Sequence, residues 1–156
     1  SPGGYRLEWP QGDGRRIRIG ELVGLMPGSV DGNSQNGDNA ILMLGVLRWL
    51  RSTGPGNLAV GVELLSRQPR PALVRVLDSN ARRGPVARGL LLDAADTGAE
   101  LIIAQLREQQ IAGVEVSCPA DDSAPENGAM RRQKFAIGHA QELSPAYYRV
   151  SLSHQM

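Results

Sequence analysis

Turn-forming residues recur along the whole chain and leave little room for long helices. Glycine occurs 19 times and proline 10 times in 156 residues, and both residue types interrupt helices or mark turns. Between these breaks apolar and polar residues alternate, most clearly from Leu58 to Leu64. Successive side chains of a strand point to opposite faces, so this period of two predicts half-buried β-strands. The sequence therefore predicts an all-β fold of about ten short antiparallel strands that form a β-barrel.

A cluster of polar turn residues and arginines between Ser79 and Pro85 predicts a boundary inside the chain. We expect residues 1–78 to form part of a β-barrel and residues 79–156 to form a second β-rich subdomain, either a small barrel or a sheet. Glu100–Gln110 combines good helix formers with consecutive apolar residues. Helix and strand both remain open for this segment, and a strand followed by a turn is preferred.

Two glycines inside predicted strands suggest places where the backbone is crowded or bent. Gly45 interrupts the apolar run of residues 40–47, and Gly61 lies within the alternating strand. Glycine inside a strand often marks a bend or a close approach by another backbone. We therefore expect Gly45 and Gly61 to lie where strands curve or where another backbone packs closely.

Charge and composition argue against membranes and nucleic acid as partners. The formal net charge is +1, so no strong overall field attracts a polyanion or an anionic lipid surface. No secretory signal or membrane-spanning apolar run is present, and a cytoplasmic location is expected. Aromatic residues make up 4% of the chain, too few for a typical base-stacking surface. Trp9, Trp49 and Phe135 are expected to point into the core.

Residues capable of catalysis are few and lie in no recognisable pattern. The chain has two histidines, His139 and His154, and a single cysteine, Cys118. The single cysteine excludes an internal disulfide and agrees with a reducing compartment. No spacing of Cys, His, Asp or Glu suits a zinc site, and no phosphate-binding loop or nucleophile elbow occurs. We therefore predict a binding module that is not an enzyme and has no metal or cofactor.

The first residues, Ser-Pro-Gly-Gly before an alternating strand, could serve a ligand. Gly3 and Gly4 would let the backbone approach a bound group closely. The Ser1 hydroxyl and the exposed amides could bond a phosphate or a base edge. A plain turn before a strand would have the same sequence, so these residues alone leave both interpretations open.

This segment resembles the second sequence motif of PilZ domains, in which Asp or Asn, any residue, Ser, two further residues and Gly begin a strand. Ser1 and Gly4 occupy the Ser and Gly positions. Three later stretches are similar to glycine-containing strands of the family and extend the resemblance to about Leu65: 19–23, 45–49 and 60–65. The resemblance implies a PilZ-like barrel that acts as a cyclic di-GMP sensor or adaptor module of a larger bacterial signalling protein. The ligand-binding residues it suggests are Ser1, Gly3, Gly4, Arg6 and Arg48.

The other PilZ motif, two arginines separated by three residues, would precede Ser1. The chain begins without methionine inside an apparent strand, so we expect it to be a piece of a longer protein. Each bidentate arginine contact contributes about 1.5–3 kcal/mol. We therefore expect the chain as given to bind cyclic di-GMP weakly or not at all, and a longer chain with the arginine pair to bind it.

Other functions remain open at this stage. The main alternative is a ligand-independent barrel that binds a protein partner, and a protein partner is expected in either case. A nucleic-acid-binding barrel ranks lower because aromatic residues are scarce. A small enzyme on a barrel, such as a flavin-binding split barrel, lacks any cofactor fingerprint, and fold analogy alone cannot supply one.

Overall fold

The computed structural model describes residues 3–10, 17–26, 42–78, 83–94, 98–104, 111–119 and 130–154. These residues form ten β-strands, and every strand pair is antiparallel. The chain divides into two compact units, Ser1–Gln68 and Pro69–Met156. No helix in the described ranges is long and apolar enough to cross a lipid bilayer. The all-β antiparallel class predicted from the sequence is confirmed.

The first unit contains a four-stranded sheet in the order β1-β4-β3-β2. Its strands are β1 Gly4–Pro10, β2 Leu22–Leu25, β3 Met43–Gly54 and β4 Asn57–Ser66. A tight turn joins β3 to β4, and Gly56 has a positive φ of 77° there, a conformation that favours glycine. One face of the sheet is apolar, with Leu47, Val60 and Val62 buried among partly buried side chains from all four strands.

The second unit is a closed six-stranded barrel in the order β10-β7-β6-β5-β8-β9. The strands are β5 Arg70–Asp78, β6 Arg83–Ala94, β7 Gly98–Ala104, β8 Ile111–Pro119, β9 Met130–Ser144 and β10 Tyr147–His154. Alternate residues point into the barrel, as in β8, where Val114 and Val116 are buried and belong to its core. Phe135 is 3% exposed and packs in the same core, as the sequence predicted.

The division between the two units falls at a different place from the expected boundary. Strand β5 pairs with β6 and β8, so it belongs to the barrel of the second unit. The division between the units therefore follows Gln68, ten residues before the expected boundary at residue 78. Asp78 and Arg83, on either side of the expected boundary, belong to neighbouring strands of the same barrel, β5 and β6. A polar turn looks the same in a sequence whichever strands it joins.

The ambiguous segment Glu100–Gln110 begins as a strand. β7 extends through Ala104, and residues 101–103 are all buried. The preferred strand is thus confirmed as far as Ala104, and residues 105–110 lie outside the described residues.

Candidate ligand-binding groove

A groove of about 540 Å³ lies on the first unit. Its lining comes from the start of β1, the middle of β3 and the second half of β4: Gly3, Gly4, Tyr5, Arg6, Arg48, Trp49, Gly61, Val62, Glu63 and Leu64. Four of the five residues that the sequence suggested for a ligand site, Gly3, Gly4, Arg6 and Arg48, line this one groove. The fifth, Ser1, lies outside the described residues.

A β-bulge in β3 aims two neighbouring side chains at the groove. Leu47 pairs with Val62 and Trp49 pairs with Gly61, so the register shifts at Arg48. A bulge places two residues opposite one and re-aims the side chains around it. As a result Leu47 stays in the apolar core, while Arg48 and Trp49 both line the groove.

Trp49 covers Gly61 on the adjacent strand. A Cβ atom at Gly61 would collide with the indole ring, at Nε1, Cε2 and Cδ1. Gly61 is therefore a place of close approach, as predicted, although a side chain rather than a backbone makes that approach. Trp49 is 43% exposed, so the prediction that it points into the core is wrong. The Trp9 side chain lies outside the described part of the chain.

Gly45, the second predicted glycine, is crowded as well. A Cβ atom there would collide with Val62 Cγ1 and would lie 3.1 Å from the carbonyl oxygen of Glu63. The register between β3 and β4 also shifts between Leu44 and Gly45. The two glycines thus lie beside two of the three register shifts between β3 and β4, and irregularities of this kind are typical places for a strand to bend.

The two groove arginines differ in their partners. Arg48 Nε donates to Glu63 Oε2 at 2.6 Å, and both side chains are about one-third exposed or more. Arg6 pairs across β1 and β4 with Gly61 and is exposed. Its side chain makes no hydrogen bond or ion pair with any other described residue. The groove therefore presents one anchored guanidinium and one that is available to a ligand.

The glycine turn, formed by Gly3 and Gly4, is hydrogen-bonded to β4 of the sheet. Gly3 has a positive φ of 87°, and its carbonyl oxygen accepts a hydrogen bond from the Leu64 amide at 2.8 Å. Gly4 begins β1 opposite Glu63. A residue with a side chain would be strained at Gly3, so glycine there is required by the turn. This gives the first of the two glycines a structural reason that is independent of any ligand.

The groove combines three recognition elements. Guanidinium groups form planar, charge-assisted hydrogen bonds with phosphates and with guanine. An exposed indole offers a surface for stacking on a flat base. Backbone beside glycine can approach a bound group closely. This combination suits a nucleotide. Sequence reasoning missed Trp49 and Glu63, because their placement depends on the bulge and on the pairing of β3 with β4.

The residues considered for catalysis do not come together. His139 is exposed, and its backbone amide donates a hydrogen bond to Ser151 Oγ at 2.7 Å. The His154 ring packs against Phe135 with ring centroids 4.9 Å apart. Cys118 is 4% exposed inside the barrel core. Among the residues described, no three His, Cys, Asp or Glu side chains are placed to hold a metal ion.

Comparison with known proteins identifies the region that carries the groove. Residues 1–71 match the family model described as "Cyclic-di-GMP receptor FimW, middle PilZ domain". The predicted resemblance to PilZ domains is confirmed. This PilZ match includes all four strands of the first unit and therefore every residue that lines the groove.

A curated relative is also named as a cyclic di-GMP receptor. The Cyclic-di-GMP receptor FimW of Pseudomonas aeruginosa is 31% identical over 96 residues, which are 60% of this chain and 14% of FimW. The chain thus matches a small part of the length of FimW. No solved structure matches the chain.

Proposed function

We propose that this chain is a PilZ-type module that binds cyclic di-GMP in the groove of its first unit. The observation that carries the proposal is the convergence of Gly3, Gly4, Arg6 and Arg48 on one groove. Support also comes from the family description and from the name of the relative, both of which specify a cyclic di-GMP receptor. The module acts as a sensor or adaptor, without catalysis, within a larger bacterial signalling protein in the cytoplasm.

The groove residues match the chemistry of the ligand. Cyclic di-GMP contains guanine bases, whose adjacent O6 and N7 atoms accept two hydrogen bonds from one arginine fork. It also contains phosphates, which attract a guanidinium and exposed backbone amides. Arg6 takes a guanine edge or a phosphate directly, since it has no other described partner. The Trp49 indole, which is 43% exposed, stacks on a base.

Glu63 competes with the ligand for Arg48. The carboxylate holds Arg48 Nε at 2.6 Å, so the guanidinium can turn only its remaining N–H groups to a ligand. The negative charge of Glu63 also repels a phosphate in the same groove. Replacing Glu63 by Gln keeps the size of the side chain and removes this repulsion, so we expect the E63Q variant to bind cyclic di-GMP more tightly than the parent.

Nuclear magnetic resonance titration of the isotope-labelled chain tests this function even if binding is weak. Cyclic di-GMP should shift the amide signals of Gly3, Gly4 and Arg6 and the indole N–H signal of Trp49. Cyclic di-AMP has the same phosphates but a different base edge and should cause smaller shifts. Short RNA and FMN are tested in parallel, since a base-stacking barrel or a flavin enzyme would respond to these instead.

Matched variants locate the site. Arg6→Ala and Arg48→Ala should each weaken binding by about tenfold or more, because each removes a charge-assisted contact. Arg51→Ala is the control, since this exposed arginine lies on the same strand as Arg48 but does not line the groove. The proposal fails if cyclic di-GMP causes no shifts at millimolar concentration. It also fails if Arg51→Ala weakens binding as much as the two groove variants.

A further inference from the structure

The outer surface of the barrel carries two rows of residues that run across four strands, β6, β5, β8 and β9. The strand registers align them side by side. We call this surface the cationic face, and its members, row by row, are Arg88, Leu73, Ser117 and Arg132, then Val86, Arg75, Glu115 and Lys134. Neighbouring strands lie about 4.8 Å apart, so the backbone of the face is about 14 Å wide.

Positive charge is concentrated on this face. Four of its eight residues are cations, and a fifth, Arg83, lies beside it with its guanidinium 3.5 Å from Glu115. Glu115 is the one acid among these nine side chains, so the group has a net charge of +4, whereas the whole chain has +1. The net charge of the whole chain therefore does not reveal the positive electrostatic potential of this face.

Glu115 forms ion pairs with two arginines at or beside the face. It is 4% exposed and lies 3.5 Å from Arg83 and 3.7 Å from Arg132, both of which are more than half exposed. Burying a carboxylate is costly unless a cation pairs with it, and these two guanidinium groups supply that pairing. Glu115 thus positions two arginines at the surface and leaves the remaining cations of the face without a carboxylate.

The other three cations have no described partner. Arg75, Arg88 and Lys134 make no hydrogen bond or ion pair through their side chains with the residues that the structure describes. Arg88 and Lys134 are exposed and lie in opposite rows on the two outer strands. A ligand on this face would therefore meet charged groups at both sides.

Two apolar side chains lie among these charges, Leu73 inside one row and Val86 at the end of the other. Leu73 is 45% exposed and Val86 is 50% exposed, next to Arg88 and Arg75 in their rows. Protein interfaces combine buried apolar side chains with charged and polar groups, so exposed apolar residues beside cations favour a protein partner. The face contains no aromatic residue on which a nucleic-acid base could stack.

We propose that the cationic face docks an acidic polypeptide segment in which Asp or Glu residues alternate with apolar residues. The acidic side chains pair with Arg88, Arg75 and Lys134, and the apolar side chains cover Leu73 and Val86. Charge complementarity selects the partner and speeds its association. The face lies wholly in the second unit, so this docking does not depend on the ligand groove of the first unit.

Fluorescence anisotropy with a labelled peptide of alternating Glu and Leu residues tests the proposal on the full chain. The peptide should bind at low salt, and raising the ionic strength should weaken binding. Arg88→Glu with Lys134→Glu should weaken it by about tenfold or more, since two attractions become repulsions. Leu73→Ser should weaken it by a smaller factor without changing the salt dependence. A peptide with Gln in place of Glu should not bind.

The control is a double charge reversal outside the face, Arg18→Glu with Arg67→Glu, which changes the net charge equally at two exposed positions. Equal weakening by both double variants would show that total charge, and not this face, attracts the peptide, and would overturn the proposal. Absence of binding by the parent chain would overturn it as well. So would preferential binding of duplex DNA or of phosphatidylglycerol vesicles. Arg88→Gln with Lys134→Gln provides a milder test if the Glu variant does not fold.

Discussion

The two units of the chain use β-strands in different ways. In the second unit, six strands close on themselves and eleven buried residues form one core cluster. In the described part of the first unit, four strands form a sheet with seven buried apolar residues, three of which form one core cluster. Closure removes the sheet edges and encloses the apolar side chains. The second unit thus encloses its apolar core inside a barrel, whereas the described part of the first unit is a sheet that also carries the groove on its surface.

Glycines show the same contrast in detail. In the barrel, a Cβ at Gly89 would lie 2.9 Å from both the Ile102 carbonyl oxygen and Val74 Cγ2, so glycine is required by backbone and core packing. In the sheet, the atoms above Gly61 belong to the exposed Trp49. Gly89 thus makes room for a neighbouring strand and a core side chain, and Gly61 makes room for an exposed aromatic side chain in the groove.

The largest effect should come from the barrel core. Phe135→Ala removes a ring that is 3% exposed and should lower the free energy of unfolding by about 3–5 kcal/mol. Val62→Ala in the first unit should cost less, since it removes fewer atoms from a smaller cluster. Denaturant titration measures both. Val86→Ala, on the exposed outside of the barrel, is the control and should change stability by less than about 0.5 kcal/mol. A greater loss for Val62→Ala than for Phe135→Ala would reverse the proposed contrast between the units.

Crowding at the sheet glycines should give the next largest effect. Gly61→Val and Gly45→Val should each destabilise the protein by about 1–3 kcal/mol through overpacking. Gly4→Ala is the control, because a Cβ there would make an ordinary contact at 3.5 Å. Thermal melting measures all three variants. If both Val variants melted at the temperature of the parent protein, the packing described for β3 and β4 would be wrong.

A double variant sharpens this prediction. The atoms that exclude a side chain at Gly61 belong to Trp49, so removing the indole should relieve the clash. Trp49→Ala combined with Gly61→Val should therefore lose less stability than the sum of the single variants. Additive losses would mean that the indole is not what makes glycine necessary at this position.

The smallest effects concern one ion pair in each unit. Arg149 directs both Nε and a terminal nitrogen to Glu100 Oε2, at 2.9 and 2.6 Å, and both side chains are largely buried. Glu100→Gln should therefore cost about 1 kcal/mol or more. The more exposed pair of Arg48 with Glu63 is screened by water, so Glu63→Gln should cost less than about 1 kcal/mol. Denaturant titration at low and high salt compares them. Equal losses of unfolding free energy in the two variants would show that the difference in burial does not make one ion pair stronger than the other.

Local patterns in the sequence were sufficient for the strands and for part of the site. Alternation around Val60 and Val62 predicted a half-buried strand, and this face of β4 forms the core of the first unit. The glycine-rich start of the chain and the arginines Arg6 and Arg48 were selected from their resemblance to a motif, and the described ones line one groove. Side-chain alternation is a property of the extended chain itself, so it can be read without knowing which strands are neighbours.

The other features of the fold and of the groove depend on pairing between strands that are distant in the sequence. The sequence alone determined that the chain is a β protein with Gly61 inside a strand, because the period and the residue type are local properties. Only the tertiary structure decided that the indole of Trp49 covers Gly61. A bulge at Arg48 places the side chains of Arg48 and Trp49 at the same groove. The tertiary structure also decided that β5 belongs to the closed barrel and that cations from four strands form one face. Such features depend on register, and register is set by contacts between residues far apart in the chain.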